Sequence, residues 1–441
     1  MRFNLYSITL VSALVASSIS HAELGVKLGG TMDVMTGGRS EKPEYRYIYQ
    51  KDPRKERQAY SKKSIVTDGR ININIDSKDE GDFKYGGLLV LNANPSDSTT
   101  GEKGLVSRDM IYVQHNKFGR LEAGNYYGAG GMFEMTPTNF AKAGYGVHGY
   151  WSSWINDAAY VDLSTIGVGK KYYPNLMGHK YLSSPNLPSN YSGEHYAAAP
   201  KVTYYTIPFP GVTFGVSYIP DLDSTGTIST QAGAQSGPKD EGRKMNRPTF
   251  KNIFSGGFMY EFDVKDVNIK TSVTGEVGKA KKYAGTNFVN DLKAYEIGFG
   301  AVYNQYSIGA TYGNWGKTGT YREKYKGTKQ GADYWTAVFA HDTEVFGYSL
   351  SYMQSKRAGG LEPIGSNLHY ELSGRAGKPI KDKTFSDTKY NKLKVVSLGI
   401  DYKMAPGLMP YAEATRFVFK DASAPKSNAG YIFLTGVRLK F

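Results

Sequence analysis

The chain has 441 residues, 54 Lys and Arg against 40 Asp and Glu, a formal charge of +14, and no cysteine. The lack of cysteine excludes a disulfide scaffold, thiolate metal sites and cysteine nucleophiles. Aromatic residues make up 14% of the chain and 52 residues are glycine, a composition that excludes a disordered chain and favours β-structure.

The N-terminal segment has the layout of a secretory signal. Arg2 is the only charged side chain before Glu23, residues 8–19 are apolar apart from Thr and Ser, and Ser-His-Ala at 20–22 forms a small-x-small cleavage site. We therefore predict a signal peptide over 1–22 and a mature chain over 23–441. The alternative is a buried N-terminal helix. No other stretch reaches about 18 consecutive apolar residues, so no transmembrane helix is predicted in the mature chain. A closed barrel is the other structure that can span a membrane.

Strand candidates follow from period-2 alternation, because successive strand side chains face opposite ways. At 70–76, isoleucines alternate with Arg, Asn and Asp. At 431–441, the odd-numbered residues are aromatic or aliphatic apart from one Thr. Similar alternation occurs at 212–218, 348–352 and 396–402. A water-soluble sandwich would produce the same pattern, so alternation alone does not fix the fold.

The connections between strand candidates discriminate better, because short and long ones strictly alternate. The short connections fall near 77–82, 116–119, 207–211, 263–266, 303–306, 342–345 and 404–407. The long connections fall near 36–69, 94–107, 128–200, 220–248, 279–291, 314–331, 354–392 and 420–429. Seven short and eight long connections join 16 strands, with all long loops at one end. This predicts an all-β, 16-stranded antiparallel transmembrane barrel with short periplasmic turns and long outer loops.

One loop, 128–200, is far longer than a compact domain tolerates without a function. A barrel of 16 strands leaves an aqueous channel, which a loop folded inward would narrow. The alternative is that this loop is exposed on the outside of the barrel. Trp151 and Trp154 lie three residues apart in this loop and could guide sugars, although packing of the loop against the barrel wall is the favoured interpretation.

Several stretches resemble the general, trimeric Gram-negative outer-membrane porins, closest in look to alphaproteobacterial members. They are KFGRLEAGNYYG at 117–128, KVTYYTIPFPGVTFGVSYIPD at 201–221, APGLMPYAE at 405–413 and the final strand ending in Phe441. The resemblance implies a third long loop folded into the lumen, carboxylates on that loop, and a row of basic side chains on the opposite wall. It also implies that Phe441 is part of the signal read by the barrel assembly machinery.

By position, the resemblance assigns the basic wall to four residues and the loop acids to three. The basic residues are Lys27, Arg70, Arg108 and Lys201. Strand parity supports Lys27 and Arg70, and supports Arg108 less clearly. The acids are Glu134, the best match because it precedes Pro137, followed by Asp157 and Asp162. Asn125 stands where some family members have an arginine, which puts in doubt any loop contact built on that arginine.

The preferred function is a passive diffusion channel for small hydrophilic solutes and ions, with a weak anion preference because basic rings favour anions. One alternative is a substrate-selective channel for sugars or phosphorylated solutes, supported by the oversized loop and its tryptophan pair. Another is a barrel-based surface adhesin, supported by the long basic loops 36–69 and 354–392. The expected partners are outer-membrane lipid and lipopolysaccharide, two further copies of the chain in a homotrimer, and the assembly machinery.

Enzyme and nucleic-acid functions find no support. The chain has no His-Glu-x-x-His run and no Gly-x-Ser-x-Gly elbow, and Gly-Ala-Gly-Gly at 128–131 lacks dinucleotide-loop spacing. The seven histidines are scattered, so no metal site and no cofactor are predicted. The basic residues are spread over all loops rather than clustered on one element, unlike a nucleic-acid-binding surface.

Overall fold

The computed structural model describes residues 24–42, 63–78, 81–92, 106–155, 158–163, 169–174, 187, 199–207, 209–222, 250–281, 290–318, 331–358, 390–420 and 427–441. The predicted signal peptide, 1–22, lies outside the described residues. Within the described ranges, no helix has the length and apolar character needed to cross a membrane.

Sixteen strands of the described chain form one closed antiparallel barrel. They are β1 (Leu24–Ser40), β2 (Lys63–Ser77), β3 (Phe83–Asn92), β4 (Val106–His115), β5 (Gly119–Asn125), β8 (Lys201–Tyr205), β9 (Val212–Asp221), β10 (Phe250–Val264), β11 (Val267–Ala280), β12 (Leu292–Tyr303), β13 (Tyr306–Asn314), β14 (Ala332–Asp342), β15 (Phe346–Ala358), β16 (Tyr390–Tyr402), β17 (Leu408–Lys420) and β18 (Asn428–Lys440). Each barrel strand pairs with the next along the chain, β5 pairs with β8, and β18 closes on β1. The predicted 16-stranded barrel is confirmed.

The alternation of side chains is the reverse of that in a water-soluble protein. Along β16, Leu393, Val395 and Ser397 face inward and are buried, whereas Leu398 and Ile400 face outward and are 59% and 38% exposed. Apolar side chains are exposed on the outward faces of other strands as well, such as Ile297 on β12 and Phe339 on β14. An apolar outer face on a closed sheet requires apolar surroundings, which separates this barrel from a soluble sandwich.

The predicted alternation of short and long connections is also confirmed. At one end of the barrel the strands are joined by 78–82, 116–118, 206–211, 265–266, 304–305, 343–345 and 403–407. One boundary differs: β1 and β2 stay paired as far as Gly38 and Lys63, well inside the predicted loop 36–69. The residues at 36–40 and 63–69 do not alternate between apolar and polar, so the strands stay paired beyond the segment that the sequence pattern marks as strand.

The C-terminal residue completes the closure of the barrel. The backbone N–H of Gly30 donates to the carbonyl oxygen of Phe441 at 2.8 Å, and the N–H of Phe441 donates to Gly30 at 3.2 Å. A Cβ at position 30 would lie 2.5 Å from the carbonyl oxygen of Arg70 and 2.7 Å from the Phe441 ring. Only glycine fits at this close approach of strand and terminus.

The long loop between β5 and β8 folds into the lumen, as predicted. Its described part begins with a short helix, α1 (Ala129–Met132), and continues through 3-10 turns at Pro137–Asn139, Gly146–His148 and Tyr150–Trp154. It then forms a hairpin of β6 (Ala158–Leu163) and β7 (Gly169–Pro174), which pair only with each other. The sequence analysis did not predict this hairpin, because the segment was assigned to loop throughout.

Candidate functional site in the barrel lumen

The lumen loop follows the inner wall in the order of the strands. It starts at β9, where the N–H of Ala129 donates to Ser217 Oγ at 2.7 Å. It reaches β13, where the Thr311 hydroxyl donates to the carbonyl oxygen of Met135. It ends near β1, where Arg39 Nη1 donates to the carbonyl oxygen of Trp154 at 2.8 Å. The loop therefore covers the wall from β9 round to β1.

Wall side chains accept hydrogen bonds from the loop backbone in its middle part. Ser349 Oγ accepts from the N–H of Lys142 at 2.9 Å, and Ser351 Oγ accepts from the N–H of Val147 at 3.1 Å. Glu413 Oε2 on β17 accepts from the N–H of Gly146 at 3.0 Å. These inward polar residues replace the backbone partners that an irregular segment lacks, which is why the inner wall is polar where the loop lies.

A charged cluster holds the far end of the loop against β18, β1 and β2. Arg438 Nε lies 3.1 and 3.0 Å from the two carboxylate oxygens of Asp33, and its guanidinium lies 4.2 Å over the Tyr145 ring. The Tyr150 hydroxyl lies 3.1 Å from an oxygen of Asp33 and 3.1 Å from one of Asp68. Burial and these two carboxylates raise the pKa of Tyr150, so it stays protonated and can donate.

Trp151 and Trp154 are both buried, in keeping with packing of the loop against the wall, which was the favoured interpretation over solute contact. Trp151 is fully buried, stacks on Phe417 of β17 with 6.0 Å between ring centroids, and donates from Nε1 to the carbonyl oxygen of Val147 at 2.8 Å. Trp154 is only 6% exposed. Neither ring offers a face to a passing solute, so the pair packs the loop against the wall.

The predicted loop acids are placed only in part. Glu134 accepts a hydrogen bond from the N–H of Leu187 at 2.6 Å. Burial raises its pKa, helped by the neighbouring carboxylates of Glu296 on β12 and Glu276 on β11. Glu134 therefore sits beside this part of the wall. Asp157 lies outside the described residues, and only the backbone of Asp162 is described, on β6. None of the three is tested as a constriction acid.

Two of the predicted basic residues face open lumen. Lys27 lies on the inward parity of β1 opposite Asn74, and Arg70 lies on that of β2 opposite Thr31. Both side chains are exposed. Arg108 shares the inward parity of β4, and its guanidinium lies 4.1 Å over the ring of Tyr127 at the start of the loop.

Lys201 differs from the predicted pore-wall role. It is 5% exposed, and its Nζ donates to the carbonyl oxygen of Tyr126. A buried ammonium bonded to the loop backbone does not line the water-filled path. Lys201 instead fixes the point where the loop leaves the top of β5.

Some residues of the site were missed by the sequence analysis. Lys84 lies on the inward parity of β3, opposite Gln114, but its apolar inward neighbours hid it. Lys142 binds Asp342 with 2.7 Å between Nζ and Oδ2, and Lys403 binds the same carboxylate at 2.7 Å. Arg438 and Asp33 each lie on the polar face of a terminal strand, which is the only signal of them in the sequence. They become a pair only because the barrel closes between β18 and β1.

His148 is the one histidine in the described part of the lumen loop. Burial lowers its pKa to about 4, and its Nε2 finds no hydrogen-bond partner within the described chain. The imidazole is therefore neutral at physiological pH. No cluster of His, Asp and Glu suited to a metal ion occurs among the described residues.

The geometry divides the lumen into two halves. The contacts of residues 129–154 fall on β9 to β18 and on β1 and β2. Lys84 and Arg108 lie on β3 and β4, which these contacts do not reach, and Lys27 and Arg70 lie below the contacts on β1 and β2. A water-filled passage between the loop and this basic wall is what the arrangement can provide.

The comparisons with known proteins agree with this geometry. A profile of the Gram-negative porin family matches residues 9–422. Two uncharacterized rickettsial proteins are similar to the chain. One, from Rickettsia felis, is 25% identical over 404 residues, covering 83% of this chain and 82% of the relative. The other, from Rickettsia conorii, is 27% identical over 371 residues, covering 75% of each.

Among solved structures, the anion-selective porin from Comamonas acidovorans has a TM-score of 0.51 at 12% identity, over 95% of this chain and 100% of that one. At this identity the likeness shows the fold alone. The chain belongs to the Gram-negative porin family. As a member of this family it is an outer-membrane channel.

Proposed function

We propose that this porin is a passive diffusion channel for small hydrophilic solutes and ions, with a weak preference for anions. The observation that carries the proposal is the exposure of Lys27 and Arg70 in the lumen, below the loop contacts on β1 and β2. The loop segment 135–155 contains Lys142 and His148 but no carboxylate, so it adds no negative charge to this passage.

The expected strength of the preference follows from Coulomb's law. An anion about 6 Å from a lumenal cation in water gains about 0.7 kcal/mol, and screening over a Debye length of about 8 Å halves this. Anions are then enriched about 1.7-fold per cation, and cations depleted equally. Each basic residue should thus change the anion-to-cation permeability ratio by about threefold.

The test is a single-channel measurement in a planar bilayer with a salt gradient, which gives the ratio from the reversal potential. Lys27→Gln and Arg70→Gln should each lower the anion preference by about threefold. Lys117→Gln is the matched control, because Lys117 is exposed in the periplasmic turn between β4 and β5. Equal shifts for Lys117→Gln and Arg70→Gln, or cation selectivity of the wild type, would defeat the proposal.

The alternatives give different currents in the same apparatus. A channel selective for sugars or phosphorylated solutes would show saturable block by its solute. An adhesin that merely uses the barrel would show no conductance from correctly folded protein. The burial of Trp151 and Trp154 removes the feature that favoured a sugar path.

We also propose that the protein is a homotrimer joined through β1 and β2. The outward faces of these two strands carry aliphatic residues, Met, Gly, Thr, Ser and, at the upper end, Lys63, but no aromatic side chain. Exposed Tyr, Phe and Trp mark the outward faces of strands such as β12, β13, β14 and β15, as expected where a barrel meets headgroups. Leu28→Arg should dissociate the trimer in native mass spectrometry, whereas Leu398→Arg on β16 should not. Loss of the trimer in both variants would contradict this interface.

The remaining partners follow from an outer-membrane location. The proposal includes cleavage of 1–22 on export, a mature barrel over 23–441 with a lumen loop at 128–200, and recognition of Phe441 by the assembly machinery. It also includes contact with lipopolysaccharide in the outer leaflet. No cofactor forms part of the proposed mechanism.

A further inference from the structure

Two lysines face each other directly on the outside of the barrel. Lys392 of β16 is the register partner of Lys420 of β17. Lys394 is the next outward residue on β16, and Arg416 lies on the outward face of β17 opposite Val396. All four basic side chains are exposed. We call these four residues the β16–β17 basic patch.

Neighbouring basic residues of the patch lie close enough for one anion to contact more than one of them. Directly opposed residues have their Cβ atoms about 5 Å apart, and diagonal neighbours are about 7–8 Å apart. Lys394 pairs with Val418, so it is diagonal to both Lys420 and Arg416. Like charges this close repel, so the arrangement favours an anion that contacts several of them at once.

The patch has no compensating carboxylate within the described chain. Among the described residues, Arg416 has an aromatic neighbour instead: its guanidinium lies 5.7 Å over the ring of Tyr431. Another opposed pair, Lys251 and Lys279, shows the contrast. Lys279 binds Asp291 at 3.0 Å, and Asp221, the register partner of Lys251, binds Lys281. Acids therefore lie beside the lysines at that rim, whereas no carboxylate among the described residues contacts those of the patch.

Lys392 and Lys420 lie at the height of the outer headgroups, and Lys394 and Arg416 lie two and four residues further down their strands. Below the patch, Val396, Leu398, Ile400 and Tyr402 are exposed on the outward face of β16. Lys392 and Tyr402 are ten residues apart, or about 33 Å along the strand, which a tilt of about 40° reduces to about 25 Å of height. This equals the thickness of the apolar band, so Lys392 lies at its outer edge when Tyr402 lies at its periplasmic edge.

We propose that the β16–β17 basic patch binds the phosphate groups of lipopolysaccharide in the outer leaflet. Charge complementarity and height both match a phosphorylated glycolipid whose acyl chains lie along the outward apolar face of β16 below the patch. The patch is two and three strands from β1, outside the aliphatic face of β1 and β2. The inference rests on the proposed outer-membrane contacts but not on the selectivity of the pore.

The test is a titration of purified, delipidated porin with diphosphorylated lipid A, read by native mass spectrometry. Lys392→Gln/Lys420→Gln should weaken binding by about 30-fold, since each headgroup-level cation contributes about fivefold. Lys394→Gln/Arg416→Gln should weaken it similarly, while Lys392→Arg/Lys420→Arg should retain it. Lys251→Gln/Lys279→Gln is the matched control, because it removes an opposed pair that already has acid neighbours.

Three results would overturn the proposal. The first is equal loss of affinity in the control pair and the patch pair. The second is equal binding of lipid A from which both phosphates have been removed, which would show that only acyl chains are bound. The third is equal affinity for soluble pyrophosphate, which would indicate a free-anion site. Bilayer conductance of each variant separates a failure here from a failure of the channel proposal, because the patch faces away from the lumen.

Discussion

Replacement of Glu413 should release the middle of the lumen loop. Glu413 Oε2 accepts from the buried N–H of Gly146 at 3.0 Å, and a Cβ on Gly144 would lie 3.0 Å from the same oxygen. The carboxylate therefore fills the space beneath this turn and satisfies its backbone. Glu413→Ala removes both the acceptor and the packing.

The size of the effect follows from the type of bond. Loss of this bond leaves a buried N–H without a partner, which costs about 1–3 kcal/mol. A loss of about 2 kcal/mol raises the undocked population of the turn about 30-fold. Glu413→Gln keeps an acceptor oxygen without the charge, so its effect should be intermediate. The neighbouring bonds of Lys142 to Ser349 and Val147 to Ser351 should confine the release to this turn.

Two measurements read this release directly. Open-channel current noise should increase in the order wild type, Glu413→Gln, Glu413→Ala, and hydrogen exchange of peptides covering 144–148 should become faster in the same order. Glu344→Ala is the control, because Glu344 is exposed in the periplasmic turn between β14 and β15. Unchanged noise and exchange in Glu413→Ala would refute the view that wall side chains dock the loop.

Three further changes have defined outcomes. Glu134→Gln should raise the melting temperature at pH 7, because the raised pKa of Glu134 means that its ionised form costs stability above its ordinary pKa of 4.5; this gain should vanish below about pH 4.5. Lys420→Glu should convert the repulsion with Lys392 into an ion pair, stabilising detergent-solubilised barrel by about 0.2–1 kcal/mol in thermal unfolding. Phe441→Ala should reduce surface assembly in cells, measured by heat-modifiable migration, yet leave refolding in detergent intact because the backbone bonds to Gly30 remain.

The fold was predictable because the barrel obeys two simple rules along its whole length. Alternation at 396–402 and 431–441 located strands, and the interleaved loop lengths gave their number and closure. Prediction failed where those rules lose their signal. In the upper parts of β1 and β2 the residues no longer alternate between apolar and polar, as Thr-Gly-Gly-Arg-Ser at 36–40 shows.

The site was predictable only where strand parity decides it. Lys27 and Arg70 were assigned to the lumen because their neighbours of opposite parity are apolar, and both are exposed there. Parity cannot tell an inward residue that faces water from one covered by a loop. Lys201 has the inward parity, but it is bonded to the carbonyl oxygen of Tyr126. Trp151 lies in the loop, where no strand parity applies, and it packs against Phe417.

The division of the inner wall explains how one chain can serve both a rigid loop and an open path. Where the loop lies, the wall presents serines and carboxylates whose bonding capacity the loop backbone takes up, so those groups are withdrawn from the solute. Asp33 illustrates this, since Arg438 and the Tyr150 hydroxyl both bind it and it is 3% exposed. Lys27 and Arg70 on the same two strands are exposed instead. Docking of the loop thus withdraws both acids and bases of the wall, and the charge that a solute meets depends on which groups the loop leaves exposed.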